Sequence, residues 1–234
     1  MQDIDTTSPK AIPRGSQILE FHAQRLAQED WHVVTSTAPT PAQTSDVWYW
    51  IERNHWHNSQ LWGEEDLARR TTVADAEIVA NKRAIDRHNQ ARNDATERVD
   101  ELLLVALRLV TPESARSDTP VAAPAQLGAR LHSETAGSMA DRLSILALKC
   151  RAMAEQTQRA DASEAHRAVS AERLMRLQTQ QQDLADALDG LLADTQAGRA
   201  WFKVYRQFKM YNDPAFNLAL VAEAARAASA LRQS

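Results

Sequence analysis

The stretch from Asp75 to Val110 constrains this chain most, because it winds as one unbroken helix of about ten turns yet is apolar only toward its end. At about 100° per residue, Ile78, Ile85, Val99, Leu103 and Ala106 share one arc, and that arc also takes in Asn81, His88, Asn89 and Arg92. A second face, within about 40° of Asp86, collects Asp75, Lys82, Gln90, Asn93, Glu97 and Asp100. Amides, an imidazole and a guanidinium on a core-facing arc must meet polar partners or a ligand, since leaving them unpaired costs several kcal/mol each. The helix therefore predicts a polar site inside a helical bundle.

The rest of the chain supplies the bundle. Only 6 of 234 residues are Gly and 8 are Pro, helix formers dominate, and runs of β-branched and aromatic residues are missing. The expected fold is all-α, a single-domain helical bundle with long antiparallel helices. A formal net charge of -4 and a pI near 6.0 give no general attraction to nucleic acid. Cys150 is the one cysteine, which excludes an internal disulfide framework. No run approaches the roughly 18 apolar residues of a membrane span, and the first 16 residues lack a signal-peptide pattern, so a soluble cytoplasmic protein is expected.

Residues 1–15 read as a flexible tail, 16–217 as the bundle with a proline-rich loop at 111–128, and 218–234 as a peripheral Ala-rich tail helix. Ser16 can cap a helix reaching Trp31, and Ser45 or Asp46 can cap the next. That next segment carries four of the six tryptophans and stacks Val47, Ile51, Asn54, Asn58, Leu61, Glu65 and Arg69 on one stripe. The short break at Thr71 and Thr72 makes it an antiparallel hairpin with the Asp75 helix. Met139, Leu143, Leu146, Cys150 and Met153 space a further core helix. The Ala162 to Ala197 helix, with Leu184, Leu188 and Leu191, serves packing or a dimer seam.

Three constellations can carry chemistry. The first joins Asn58, Glu64, Glu65 and Asp66 with Asp86, Asn93, Glu97 and Asp100, hard oxygen ligands that suit Mg²⁺ or Mn²⁺. Within it Glu65, Asp86, Asn93 and Glu97 are the candidate metal ligands, and Glu65 and Asp86 the candidate acid-base groups, with His88 as a general base. The competing reading has these acids solvated or bridged to Arg69, Arg70, Arg92 and Arg98. His22 and His57 read as hydrogen-bonding residues. The second constellation spaces Lys203, Arg206 and Lys209 by three, with Tyr205 interleaved and Tyr211 and Asn212 following, and suits a phosphate or a basic helix face equally. The third is the Ser133 to Ser138 helix entrance, whose N–H groups can hold an anion with help from Arg142, or form an ordinary cap.

HNSQLWGEEDLARR, DAEIVANKRAIDRHNQARND, SETAGSMADRLSILALK and FKVYRQFKMYNDP, in that order, resemble a bacterial helical family catalogued as a domain of unknown function, over roughly 16–217. The resemblance implies a setting near genes for lipopolysaccharide and other envelope glycans. It carries over to Asn58, Trp62, Glu65, Asp66 and Arg69, to Lys82, Asp86, Asn89, Gln90, Arg92 and Asp94, and to Glu134, Asp141, Arg142, Arg206, Lys209, Tyr211 and Asn212. Two functions follow as expectations. One is binding or processing of a phosphorylated or sugar-nucleotide ligand, bound by Asn58, Lys82, Asn89, Arg92, Arg142, Arg206, Lys209, Tyr211 and Asn212, with or without a divalent metal. The other is a non-catalytic adaptor for a glycan enzyme such as a glycosyltransferase, engaged through exposed aromatics such as Trp48 and Trp56.

Overall fold

The computed structural model describes residues 12–31, 40–120, 122, 124, 126–208 and 213–231. Among them are eight helices: α1 (Gly15–Leu26), α2 (Pro41–Thr44), α3 (Val47–Leu67), α4 (Asp75–Ala106), α5 (Pro112–Ala115), α6 (Ala136–Gln158), α7 (Glu164–Gln196) and α8 (Leu218–Leu231). Strand among the described residues is confined to β1 (Arg130–Leu131) and β2 (Ala200–Trp201), paired in parallel with Arg130 opposite Ala200. The all-α class expected from composition is what forms. No helix is long and apolar enough to cross a membrane among the described residues.

Two hairpins make the first unit. Asp46 caps α3 by accepting from the Trp48 N–H at 3.2 Å, and the chain turns back after Leu67 into α4. Cross-helix bonds link Asn54 to Thr96, His57 to His88 and Glu64 to Asn81, so partner numbers fall as α3 numbers rise. That is the antiparallel pairing the short break requires. In the same way α6 runs back against α7, with Cys150 near Gln181 and Gln156 bonded to His166. Leu143, Leu104, Phe202, Ile51, Ile18 and Leu188 form the dry centre.

Helix ends differ from the sequence expectation where other elements supply the cap. α1 starts at Gly15, not after a Ser16 cap, because Asp189 of α7 accepts from the Gly15 N–H at 2.7 Å. It stops at Leu26, whose carbonyl accepts from Arg151, while Trp31 is buried beyond it and donates Nε1–H to Ser59 Oγ at 2.9 Å. α4 ends at Ala106 rather than Val110. Leu109 N–H bonds back to the Leu104 carbonyl and Arg108 N–H to that of Val105, with Arg108 at a φ of 59°. This pair of bonds is the Schellman motif. The 111–128 segment contains α5, capped by Thr111.

The chain divides into two compact units, Met1–Val204 and Tyr205–Ser234. The first of these units ends at Val204. From Phe202 to Phe208 the backbone after β2 is not helical, so the three-residue spacing of Lys203 and Arg206 makes no helix face. In the second unit, Asn217 Oδ1 caps α8 by accepting from the Ala219 N–H at 3.0 Å.

Candidate functional site

Where α3, α4 and α6 meet, the core seam is polar. Asn54 and Asn58 lie one turn apart on α3 and are 3% and 4% exposed. The Nδ2 groups of both reach one carboxylate oxygen, Asp141 Oδ1 on α6, at 2.8 and 2.9 Å. Asn54 Nδ2 also donates to Thr96 Oγ1 at 3.0 Å, and Asn58 Nδ2 to Asn54 Oδ1 and Ser144 Oγ. Ser144 Oγ lies 2.7 Å from His55 Nδ1. Each amide on the apolar stripe is therefore answered by a side chain from a neighbouring helix, as burial demands.

One edge of this layer is open. Arg92, a turn before Thr96 on α4, has a side chain 28% exposed beside Asp141 at 15%. Its contacts are long, 3.7 Å from Nε to Asp141 Oδ1 and 3.4 Å from Nη2 to Asn93 Oδ1. A turn further along α4, His88 is half-buried, and its Nδ1 lies 3.1 Å from His57 Nδ1. His57 Nε2 is 3.2 Å from Arg53 Nη2, and Arg53 stacks over Trp56. Burial first, then the Arg53 charge and His88, bring His57 down to about 3. Burial also lowers His88, against the opposing pull of Glu64.

A second buried imidazole pair lies at the α1 contact. His22 and His55 stack at 4.2 Å. Burial depresses both, His22 well below the usual range and His55 to about 3.

Of the sequence candidates, Asn58, His88 and Arg92 are brought together here, with Asn93 at the Arg92 guanidinium. Asn89 is half-buried beside His88 in the chain. Glu65 pairs with Arg69 at 3.1 Å and Asp86 with Lys82 at 2.9 Å, each within its own helix and largely exposed. For Glu65 this is the bridged-acid alternative, whereas Asp86 is paired with Lys82, a ligand-binding candidate and not one of the arginines. Among the described residues no three His, Cys, Asp or Glu groups come together to hold a metal ion. Asp86 and Glu97 share a face of α4 but stand about 16 Å apart along its axis, at roughly 1.5 Å per residue. Glu65, Asp86, Asn93 and Glu97 therefore do not fit a single Mg²⁺ or Mn²⁺.

The Ser133 to Ser138 entrance is occupied by a carboxyl group of the protein itself. Asp100 Oδ1 accepts from the Gly137 N–H at 2.6 Å, while Thr135 caps Ser138. Arg142 pairs with Glu134. Arg206 belongs to the second unit, and Lys209, Tyr211 and Asn212 lie outside the described residues. Trp48 and Trp56 are half-buried, Trp48 against Phe21, and the exposed tryptophan of α3 is Trp62 at 38%.

Arg53, Thr96 and Ser144 were not among the sequence candidates. Ser144 was findable in principle, one turn after Asp141 on α6. Thr96 and Arg53 carry no signal of their own, because a lone Thr or Arg on a long helix is most simply a surface residue.

No curated protein and no solved structure matches the chain. A family model described as "Protein of unknown function (DUF4254)" matches residues 48–204, from the first turn of α3 to the end of the first unit. With the polar layer of α3, α4 and α6 wholly inside that match, the chain belongs to the DUF4254 family.

Proposed function

We propose that the open edge of the α3, α4 and α6 polar layer binds a phosphorylated or sugar-nucleotide ligand in bacterial envelope-glycan metabolism, in the cytoplasm. The observation that carries this reading is Arg92. Its neighbours Asn54, Asn58 and Thr96 have short bonds, but among the described residues its own guanidinium has only the two long contacts to Asp141 and Asn93. A guanidinium has five N–H donors in a fork that matches phosphate, so Arg92 has donors left for a ligand. Arg53, two turns of α3 from Asn58 at most, adds positive charge on the same side through His57 and His88. The charge of a phosphate is met by these cations, with no protein-held metal. The association with lipopolysaccharide and other envelope glycans rests on the family resemblance, and it sets the ligand class to try first.

Thermal shift against nucleotide sugars and sugar phosphates, with and without Mg²⁺, tests the proposal. A ligand at about a hundred times its Kd stabilises by about 2.7 kcal/mol. That gain is expected in the wild type and absent in Arg92→Ala.

The second reading is a non-catalytic adaptor for a glycan enzyme such as a glycosyltransferase. It is favoured by the exposed Trp62, which borders two surface grooves of about 340 and 430 Å³ on either side of α6. Here the buried amide layer fixes the packing of the helices and binds nothing. Absence of stabilisation by every phosphorylated compound, with a glycosyltransferase partner lost on Trp62→Ala, selects this reading.

A further inference from the structure

The chain Arg53, His57, His88 has a direction that the donor rules fix. A guanidinium only donates, so the nitrogen facing Arg53 Nη2 at 3.2 Å, His57 Nε2, must present its lone pair. The His57 proton is then on Nδ1, which faces His88 Nδ1 at 3.1 Å. Two N–H groups cannot bond to each other, so His88 Nδ1 also presents a lone pair, and the His88 proton sits on Nε2. A second proton on His57 would put N–H against Arg53. The depressed proton affinity of both rings agrees with a neutral pair. Among the described residues His88 Nε2 has no hydrogen bond and is not one of the buried unbonded nitrogens, so it is the solvent-accessible end of the chain.

We infer that Arg53 and His57 are positioning residues that hold His88 as a neutral imidazole with Nε2–H outward, so that His88 reads an acceptor oxygen of the ligand as a hydrogen-bond donor. This rests on the proposed ligand site at the same edge. It makes the recognised group a hydrogen-bond acceptor, such as a phosphate oxygen, and it removes His88 from the role of general base, because its one lone pair is engaged by His57. The neutral donor also keeps recognition from requiring a histidine charge, leaving the positive charge to Arg92 and Arg53.

The test is long-range ¹H–¹⁵N NMR of the ¹⁵N-labelled full chain at pH 7.5 without ligand, with His57→Gln and His88→Gln for assignment. Expected are a protonated Nδ1 with a bare Nε2 on His57, and a bare Nδ1 with a protonated Nε2 on His88. A protonated Nδ1 on His88, or an imidazolium at either position, overturns the inference. Arg53→Lys keeps a donor and retains the His57 pattern, whereas Arg53→Met releases it to a tautomer mixture; an unchanged pattern in Arg53→Met removes Arg53 from its positioning role. Inorganic phosphate is then titrated in, with a uridine diphosphate sugar in a parallel sample. A shift at His88 Nε2, with Nδ1 left in place, supports the donor role. The expected tautomers with no Nε2 response to either compound overturn the donor role and the ligand reading together, while the order of protons within the chain stands.

Discussion

The Gly137 N–H at the head of α6 donates to Asp100 Oδ1 in the last quarter of α4 at 2.6 Å, and a Cβ at Gly137 would lie 2.4 Å from the Thr96 carbonyl one turn earlier. The same arrangement recurs where α1 meets α7. Gly15 at the head of α1 donates to Asp189 of α7, and a Cβ there would lie 2.4 Å from the Ala185 carbonyl, four residues before the aspartate. In both, a helix begins against the flank of another, glycine allows the backbones to touch, and a carboxylate satisfies an N–H group that the new helix cannot bond itself.

Replacing either glycine by alanine therefore drives a methyl into backbone, not into a side chain that can swing away. Gly137→Ala and Gly15→Ala are each expected to lower stability by on the order of 3 kcal/mol. Gly63 and Gly190 are the internal comparison, since nothing lies within 4 Å of a Cβ at either helical position. Gly63→Ala and Gly190→Ala should gain about 0.5 to 1 kcal/mol each from helix propensity. Chemical denaturation of the four variants checks the opposite signs.

Asp100 is fully enclosed, and burial raises its carboxyl to about 7, with Glu97 and Glu101 adding to the rise against the bonds from Thr135 and Gly137. The folded protein thus holds this proton between about pH 4 and pH 7 while the unfolded chain releases it. That contribution to stability is full below about pH 4 and is lost as pH rises through 7. Asp100→Asn keeps an acceptor oxygen for Gly137 without a charge to bury. The difference in unfolding free energy, Asp100→Asn minus wild type, should become more positive from pH 5 to pH 8, by a few kcal/mol at most. A pH-independent difference would mean that Asp100 titrates normally.

His22 gives the opposite slope. Its two ring nitrogens are buried without hydrogen-bond partners, and burial followed by the neighbouring His55 holds its proton affinity well below normal. The unfolded chain binds the proton near pH 6.5 and the folded one does not, so stability is present above that pH and falls below it. One such group contributes a slope of about 1.4 kcal/mol per pH unit. His22→Leu should lose that share of acid sensitivity between pH 6 and 4.5 while leaving His55 and His57 to titrate as before. Melting temperature against pH, wild type beside the variant, reads the difference.

The helices were legible in the sequence because they rest on local patterns: the Asp46 cap, the three-four spacing of Leu143, Leu184 and Leu188, and the short turn between α3 and α4. Asn54 and Asn58 were legible for the same reason, as amides on an apolar stripe. Periodicity gives an angle and no axial position, which is why Asp86, Asn93 and Glu97 looked like one ligand set. It also placed Asp100 in a polar row, although Gly137 lets α6 cover it completely. The partners of Asn54 and Asn58 come from Thr96, Asp141 and Ser144, and only the packing of three helices brings these together. The three-residue spacing of Lys203 and Arg206 misled in another way, since it has meaning on a helix and this segment is not helical.

The end of α4 stores a cost that a single substitution can remove. Arg108 occupies the left-handed position of the Schellman turn at a φ of 59°, where a Cβ is disfavoured by roughly 1 kcal/mol and glycine is the usual residue. Both bonds of the turn are backbone to backbone, Leu109 N–H to Leu104 and Arg108 N–H to Val105, so they survive loss of the side chain. The Arg108 side chain is exposed and makes no ion pair among the described residues. Glycine also raises the entropy of the unfolded chain, which offsets part of the gain. Arg108→Gly is therefore expected to stabilise by about 0.5 kcal/mol, and Arg108→Val, β-branched at the same φ, to destabilise by about 1 kcal/mol. Urea midpoints at constant slope measure both, and a loss of stability in Arg108→Gly would show that the arginine side chain contributes more than the strained backbone costs.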